Sequence, residues 1–232
     1  MAKKVEINWD AIHKGLDAWR KGLHKEREEA GFEKEPAVTT VAEHYRHDPW
    51  AVLVSTILSL RTKDDVTLET SRRLLAKAGG PAQLAALRED QVARLAYPAG
   101  FYRTKAASLK KIAAILLEQY NGEVPADMDA LLALPGVGRK TANLVLIEAF
   151  DLPGICVDVH VHRISNRCGW LSTKTPEETE MTLREILPKK YWKGINALLV
   201  LYGQNLCRPV SPHCSRCVIK SHCRQIGVDR SR

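Results

Sequence analysis

Four cysteines within seventeen residues, Cys207, Cys214, Cys217 and Cys223, constrain this chain more tightly than anything else in it. Thiolates spaced C-x6-C-x2-C-x5-C converge only if the backbone wraps around a common centre, and their charges repel unless a cation sits there. The spacing fits tetrahedral zinc or a [4Fe–4S] cluster and does not divide the two. A disulfide pair is the competing use, but disulfides belong to oxidising compartments. The N-terminus, Met-Ala-Lys-Lys-Val-Glu, has charge with no apolar signal core behind it, which argues against export and for reduced thiols. Cys156 and Cys168 stand apart and are expected to be packed thiols.

The rest of the chain reads as helical. Ile12, Leu16, Trp19 and Leu23 recur at steps of three and four, as do Leu109, Ile112, Ala113, Leu116 and Leu117, the period of amphipathic helices. Boundary signals agree. Asp48-Pro49 sets a capping side chain before a helix-opening proline; Gly79-Gly80-Pro81 ends one helix and starts the next; Thr175-Pro176-Glu177-Glu178 reads as a capping box. These signals predict about ten helices with short connections. Ile155, Val157, Val159 and Val161 alternate with Cys156, Asp158, His160 and His162, the period of a strand, but no partner strand exists. An extended loop leading into a helix is therefore expected. Glu26–Thr40, charged and then Pro-bearing, reads as a linker. The uncharged stretches Trp50–Leu60 and Ile195–Leu206 fall short of the roughly 18 apolar residues of a membrane span. At 45% hydrophobic and 27% charged residues the chain can bury a core and is not intrinsically disordered.

Charge narrows the partner. Lys and Arg number 35 against 27 Asp and Glu, a net charge of +8, and Cys207–Arg232 alone holds six cations against Asp229. A second cluster is Arg103, Lys105, Lys110 and Lys111, with smaller pairs at Arg61/Lys63, Arg139/Lys140 and Arg163/Arg167. Such a surface suits a polyanion, because each neutralised phosphate releases a condensed counterion; the competing reading is a merely soluble basic protein.

Leu134-Pro135-Gly136-Val137-Gly138-Arg139-Lys140-Thr141-Ala142 follows a short apolar helix and precedes another. Two glycines one residue apart permit a tight turn with positive φ, and backbone N–H groups at the next helix start form an anion site. Leu134–Ala142 resembles the helix-hairpin-helix of the endonuclease III group of DNA glycosylases. Val157-Asp158 followed by His160 is similar to that group's Val-Asp-x-His segment, and Cys207–Cys223 matches its iron–sulfur spacing. Further matches are Ser59–Asp64, Gly100–Ala106 and Asn121–Pro125, so the resemblance runs from roughly Pro49 to Cys223.

The resemblance implies an all-α fold: a six-helix barrel domain over residues 42–152, and an iron–sulfur cluster domain from residues 1–41 and 153–232. It implies a [4Fe–4S] cluster on Cys207, Cys214, Cys217 and Cys223. It also implies base excision repair by a bifunctional glycosylase and abasic-site lyase for oxidised pyrimidines, a monomer acting on damaged double-stranded DNA. The expected location is the cytoplasm, at the nucleoid of a prokaryotic-type cell. Lys140 is the candidate nucleophile and Asp158 the second catalytic residue. On the residues alone Lys140 reads first as a phosphate contact; the resemblance is what makes it a nucleophile. An unperturbed lysine is neutral in only about one molecule per few thousand at pH 7, so a lowered pKa at a helix start beside Arg139 is useful. A carboxylate near that lysine would raise its pKa, so the value of Asp158 lies in stabilising charge at C1′ or accepting a proton.

Chemistry at C1′ requires the nucleotide to leave the stack, and the gap must be filled. Phe101 matches the family's apolar wedge, flanked by Tyr102, Arg103 and Lys105. Arg61 stands where members commonly carry Gln, and Val159 replaces the commoner Thr. Gly136, Val137, Gly138, Arg139, His160 and Arg208 complete the expected DNA-facing set, His160 chiefly in support of local structure. A monofunctional mismatch glycosylase for thymine, uracil or adenine is the nearest rival, and Lys140 argues against it. A non-catalytic DNA-binding module is the other, opposed by the pair Lys140 and Asp158.

Overall fold

A computed structural model describes residues 7–29 and 36–232. In chain order the helices are α1 (Trp9–Glu29), α2 (Ala37–His44), α3 (Pro49–Ser59), α4 (Asp64–Lys77), α5 (Pro81–Ala86), α6 (Glu89–Ala96), α7 (Tyr102–Gln119), α8 (Met128–Leu132), α9 (Arg139–Phe150), α10 (Val159–Cys168), α11 (Pro176–Ile186) and α12 (Trp192–Asn205). No strand occurs among the described residues, and none of their helices is long and apolar enough to cross a membrane. The fold is all-α.

The chain divides into two compact units, Met1–Lys34 with Ile155–Arg232, and Glu35–Gly154. The sequence expectation set the boundaries seven residues later at the first junction and two earlier at the second. The first shift has a physical cause. Val38, Val41 and Ala42 of α2 are buried in the core they share with α3 and α4, so residues 37–41 side with the central unit. Of the expected linker Glu26–Thr40, residues 30–35 lie outside the described residues; helix α1 extends to Glu29 and α2 starts at Ala37.

Unit Glu35–Gly154 is organised on α3. Every residue from Trp50 to Leu58 is buried, the mark of a helix enclosed on all sides, and α2, α4, α7 and α9 pack against it. The Asp48 carboxylate accepts a hydrogen bond from the Ala51 N–H at 2.8 Å with Pro49 at the first helical position, as the sequence signal implied. Within this apolar helix Ser55 and Thr56 donate their hydroxyls to the Val52 carbonyl at 3.0 and 2.7 Å, so neither is left unpaired. Burying side chains such as Leu53 and Leu58, both with no exposure, contributes about 1.5–3 kcal/mol apiece. Six helices of the unit have eight residues or more (α2, α3, α4, α6, α7 and α9); α5 and α8 are single short turns.

The other unit packs α1, α10, α11 and α12 around Leu16, Ile164, Leu183 and Leu199. Aromatic edges reinforce it: Trp9 meets Trp170 at 5.1 Å and Trp19 meets Tyr202 at 4.8 Å, both edge to face. Ile155–Asp158 has no regular structure and leads into α10, as expected. Ile155 and Val157 are buried, whereas Val159, at the first helical position, is 66% exposed. The period of two stops where the helix starts. Thr175 caps α11 by accepting from the Glu178 N–H at 3.2 Å. Glu178 returns its carboxylate to the Lys174 N–H at 2.8 Å, one residue earlier than a reciprocal capping box would have it.

Candidate nucleic-acid interface and metal centre

In the hairpin between α8 and α9, Leu134 and Val137 are buried and hold the turn to the unit core. The two glycines act differently. Gly136 has φ +82°, a left-handed conformation that disfavours side chains, and a Cβ there would sit 3.4 Å from the Ser108 hydroxyl. Gly138 has φ −97° and caps α9, so the expectation of positive φ holds at one glycine only. A Cβ at Gly138 would meet nothing within 4 Å, and the cap supplies no side-chain acceptor to the helix start. Glycine there keeps the helix N-terminus open to an incoming anion. Arg139 is half-buried and Lys140, next to it, is exposed. Val137 had been expected to face DNA; its side chain is committed to the core, and only its backbone borders the turn.

Sequence reasoning attached no role to Asp64, the first residue of α4. Its carboxyl is pushed up, mainly by desolvation, while a hydrogen bond from the Ala37 backbone and the charge of Lys140 act the other way. A carboxyl of the same unit thus lies within electrostatic reach of Lys140.

Arg61 and Phe101 stand on neighbouring turns. Both have left-handed backbones, φ 52° and 55°, and the Arg61 guanidinium lies 5.5 Å from the centre of the Phe101 ring. Phe101 is 62% exposed. Gly100 is required between them: a Cβ there would lie 2.4 Å from the Arg61 carbonyl oxygen. Arg103 is exposed, its guanidinium 5.6 Å from the Tyr102 ring, and Tyr102 is half-buried with its ring edge to face on Tyr97.

Two lysines of the expected basic cluster face inward. Lys105 is only 6% exposed, and its ammonium donates to the carbonyls of Leu58 and Leu60 and to the Thr62 hydroxyl at 2.8, 2.6 and 2.9 Å. Lys110 donates to the carbonyls of Ala85, at 2.6 Å, and Leu87. Both cap helix C-termini, of α3 and α5, where carbonyls lack intrahelical donors and the dipole attracts a cation. Lys105 was expected among the DNA-facing residues beside the wedge; its charge is instead spent inside the unit. Burial pushes it down to about 8, which leaves it mostly protonated at neutral pH.

In the other unit, Asp158 caps α10: Oδ1 accepts from the His160 and Val161 N–H groups at 2.8 and 2.9 Å. Oδ2 is outside this cap. His160 turns Nδ1 to the Arg163 guanidinium at 3.1 Å, and Gly203 is what lets α12 approach, since a Cβ there would be 2.4 Å from that nitrogen.

Cys207, Cys214, Cys217 and Cys223 line one cavity together with Ile164, Tyr202 and Ile219. Among the described residues no three His, Cys, Asp or Glu side chains are grouped so as to share a single metal ion. Arg167 donates to Cys207 Sγ at 3.3 Å, the Tyr202 hydroxyl to Cys217 Sγ at 3.1 Å, and the Gln225 N–H to Cys223 Sγ at 3.3 Å. Desolvation pushes the Cys207 and Cys217 thiols up, so burial alone favours neutral sulfur, and a ligated cation would reverse that. Donor set and cavity therefore fit a group bound through four thiolates. Cys168 proves less detached than its position in the chain suggested: it is buried beside Cys223, and the hydrogen bond between the two holds the Cys223 thiol below its ordinary range.

Arg163 and Arg167 had been counted as basic surface. Arg167 is 8% exposed and donates, besides Cys207 Sγ, to the carbonyls of Arg208 and Pro209 at 2.7 and 3.0 Å; Arg163 donates to the Cys207 carbonyl at 2.9 Å. Both organise the cysteine loop. Arg208 itself is exposed.

Comparison with known proteins first defines a class. Residues 54–189 match the HhH-GPD superfamily of base excision DNA repair proteins. Relatives narrow it. The chain is 46% identical to endonuclease III of Thermotoga maritima over 180 residues, 78% of this chain and 84% of that one. It is 38% identical to endonuclease III of Escherichia coli over 175 residues, 75% and 83% of the two chains. It also superposes, with a TM-score of 0.72 and 37% identity over 77% of this chain and 84% of the other, on a trapped endonuclease III–DNA covalent intermediate. The chain belongs to the endonuclease III family. It is a DNA glycosylase of base excision repair.

Proposed function

We propose that the protein removes oxidised pyrimidines from double-stranded DNA and then cleaves the abasic strand. The observation that carries the reading is Lys140: an exposed amine on the first turn of the hairpin helix, behind a glycine cap open to a phosphate. With the DNA backbone held at that helix start by Gly136, Gly138 and Arg139, the Lys140 amine attacks C1′ as the base departs, giving a Schiff base with the opened sugar. Loss of the C2′ proton then expels the 3′ phosphate. Asp158 offers Oδ2 to the positive charge developing at the sugar while Oδ1 anchors its own helix. Phe101 and Arg61 enter the duplex where the nucleotide has left, and Arg103 and Arg208 contact phosphate.

Cys207, Cys214, Cys217 and Cys223 hold a [4Fe–4S] cluster. Four thiols lining one cavity are a donor set that such a cluster takes, and the spacing shared with the endonuclease III group favours it over a single zinc. When bound, the cluster supplies four iron–thiolate bonds that brace the basic loop. A genomic substrate places the protein at the nucleoid. The test is a duplex with a single thymine glycol: base release with strand nicking is expected, both absent in Lys140→Ala. Base release without nicking by the unaltered protein would favour the monofunctional reading.

A further inference from the structure

Lys105 is a cation that the proposed chemistry leaves unused, and its surroundings are unusual. All three of its partners are neutral acceptors, and they sit where α3 gives way to the Arg61 turn. Thr62 is shared: its hydroxyl accepts from Lys105 and from the Gly100 N–H at 3.0 Å. The Lys105 N–H, for its part, donates to the Phe101 carbonyl at 3.0 Å. One residue thus ties the turn bearing Arg61 to the turn bearing Phe101, through its side chain on one side and its backbone on the other. Both of those residues are in left-handed backbone conformations that cost energy unless their surroundings enforce them.

We propose that Lys105 is a positioning residue that locks Arg61 and Phe101 into one two-pronged element, so that the two enter a duplex together at the site of base extrusion. The proposal rests on the reading of Arg61 and Phe101 as inserting side chains. Three donors on one ammonium match three acceptors, so an uncharged side chain of similar length removes a donor from the Leu58 and Leu60 carbonyls and from the Thr62 hydroxyl at once. A displacement of about 1 Å in a positioning element costs up to about a hundredfold in rate. The exposed prongs themselves are untouched by the change.

The experiment places 2-aminopurine opposite a tetrahydrofuran abasic analogue in duplex DNA and follows its fluorescence on binding, which reads insertion without any catalytic step. The unaltered protein is expected to unstack the probe and raise its fluorescence. In Lys105→Met most of that rise is lost while DNA affinity stays within about threefold, since the buried ammonium makes no phosphate contact. Thr62→Val should lose the same signal, and the double variant should lose no more than either alone. An undiminished rise in Lys105→Met, a loss matched by equal loss of affinity, or strictly additive effects of the two substitutions would each overturn the proposal, as would no rise with the unaltered protein. Failure of the enzymatic reading shows elsewhere, as absence of strand cleavage by the unaltered protein on an authentic abasic site.

Discussion

Replacing Arg167 by methionine removes a buried guanidinium while keeping most of its apolar stem. Three hydrogen bonds go: to Cys207 Sγ, to the Arg208 carbonyl and to the Pro209 carbonyl. Bonds from a charged donor contribute about 1.5–3 kcal/mol each, but part of that returns because the cation need no longer be dehydrated. What remains is dominated by two carbonyls in the cysteine loop losing their donor, about 1–3 kcal/mol apiece, so a net loss of about 3 kcal/mol is expected. That is roughly a hundredfold in the unfolding equilibrium. For a chain of this size it lowers the thermal midpoint by about 6–12 °C. The assay is denaturation of the loaded protein followed by the visible absorbance of the proposed cluster, which reports on the unit bearing the cysteines. Arg216→Met, an exposed arginine in the same loop, serves as the control and should shift the midpoint little. Equal midpoints for the two variants would refute the assignment of Arg167 as the brace of that loop.

Two further substitutions separate structure from chemistry. Asp158→Asn keeps a good helix cap, so stability should change by only about a few tenths of a kcal/mol by urea melt. Base release should nevertheless fall by about a hundredfold or more, because the negative charge is gone; a loss of stability in step with activity would reduce Asp158 to its cap. Gly100→Ala drives a Cβ to 2.4 Å from the Arg61 carbonyl, a backbone atom that cannot swing aside. It should cost about 1–3 kcal/mol and weaken base release more than DNA binding; a fully stable and active variant would contradict the close approach of the two turns.

The helices were legible in the chain wherever periodicity and caps agreed. Asp48-Pro49 and Thr175-Pro176 start α3 and α11 where their signals lie. The valine alternation over residues 155–161 mimicked a strand only because a buried extended loop runs straight into α10. Less legible was which cations face solvent. Lys105 and Arg167 looked like part of a polyanion surface, yet long side chains can carry their charge inward to carbonyls at a helix end or in a loop. A signal for Lys105 did exist: the stripe Leu109, Ile112, Leu116 of α7, continued back four residues, lands on it. The differing roles of Gly136 and Gly138 could not be read from the residue type, since both are glycine and only the backbone separates a left-handed turn from an open cap.

The proposed reaction turns on a covalent bond between the Lys140 amine and the sugar. Its most direct test is borohydride reduction of the protein incubated with duplex DNA carrying one abasic site, with the cross-linked peptide identified by mass spectrometry. A covalent protein–DNA adduct at Lys140 is expected, absent in Lys140→Ala while that variant still binds the duplex. Undiminished adduct in Lys140→Ala, or a cross-link mapped to another amine in the unaltered protein, would contradict it.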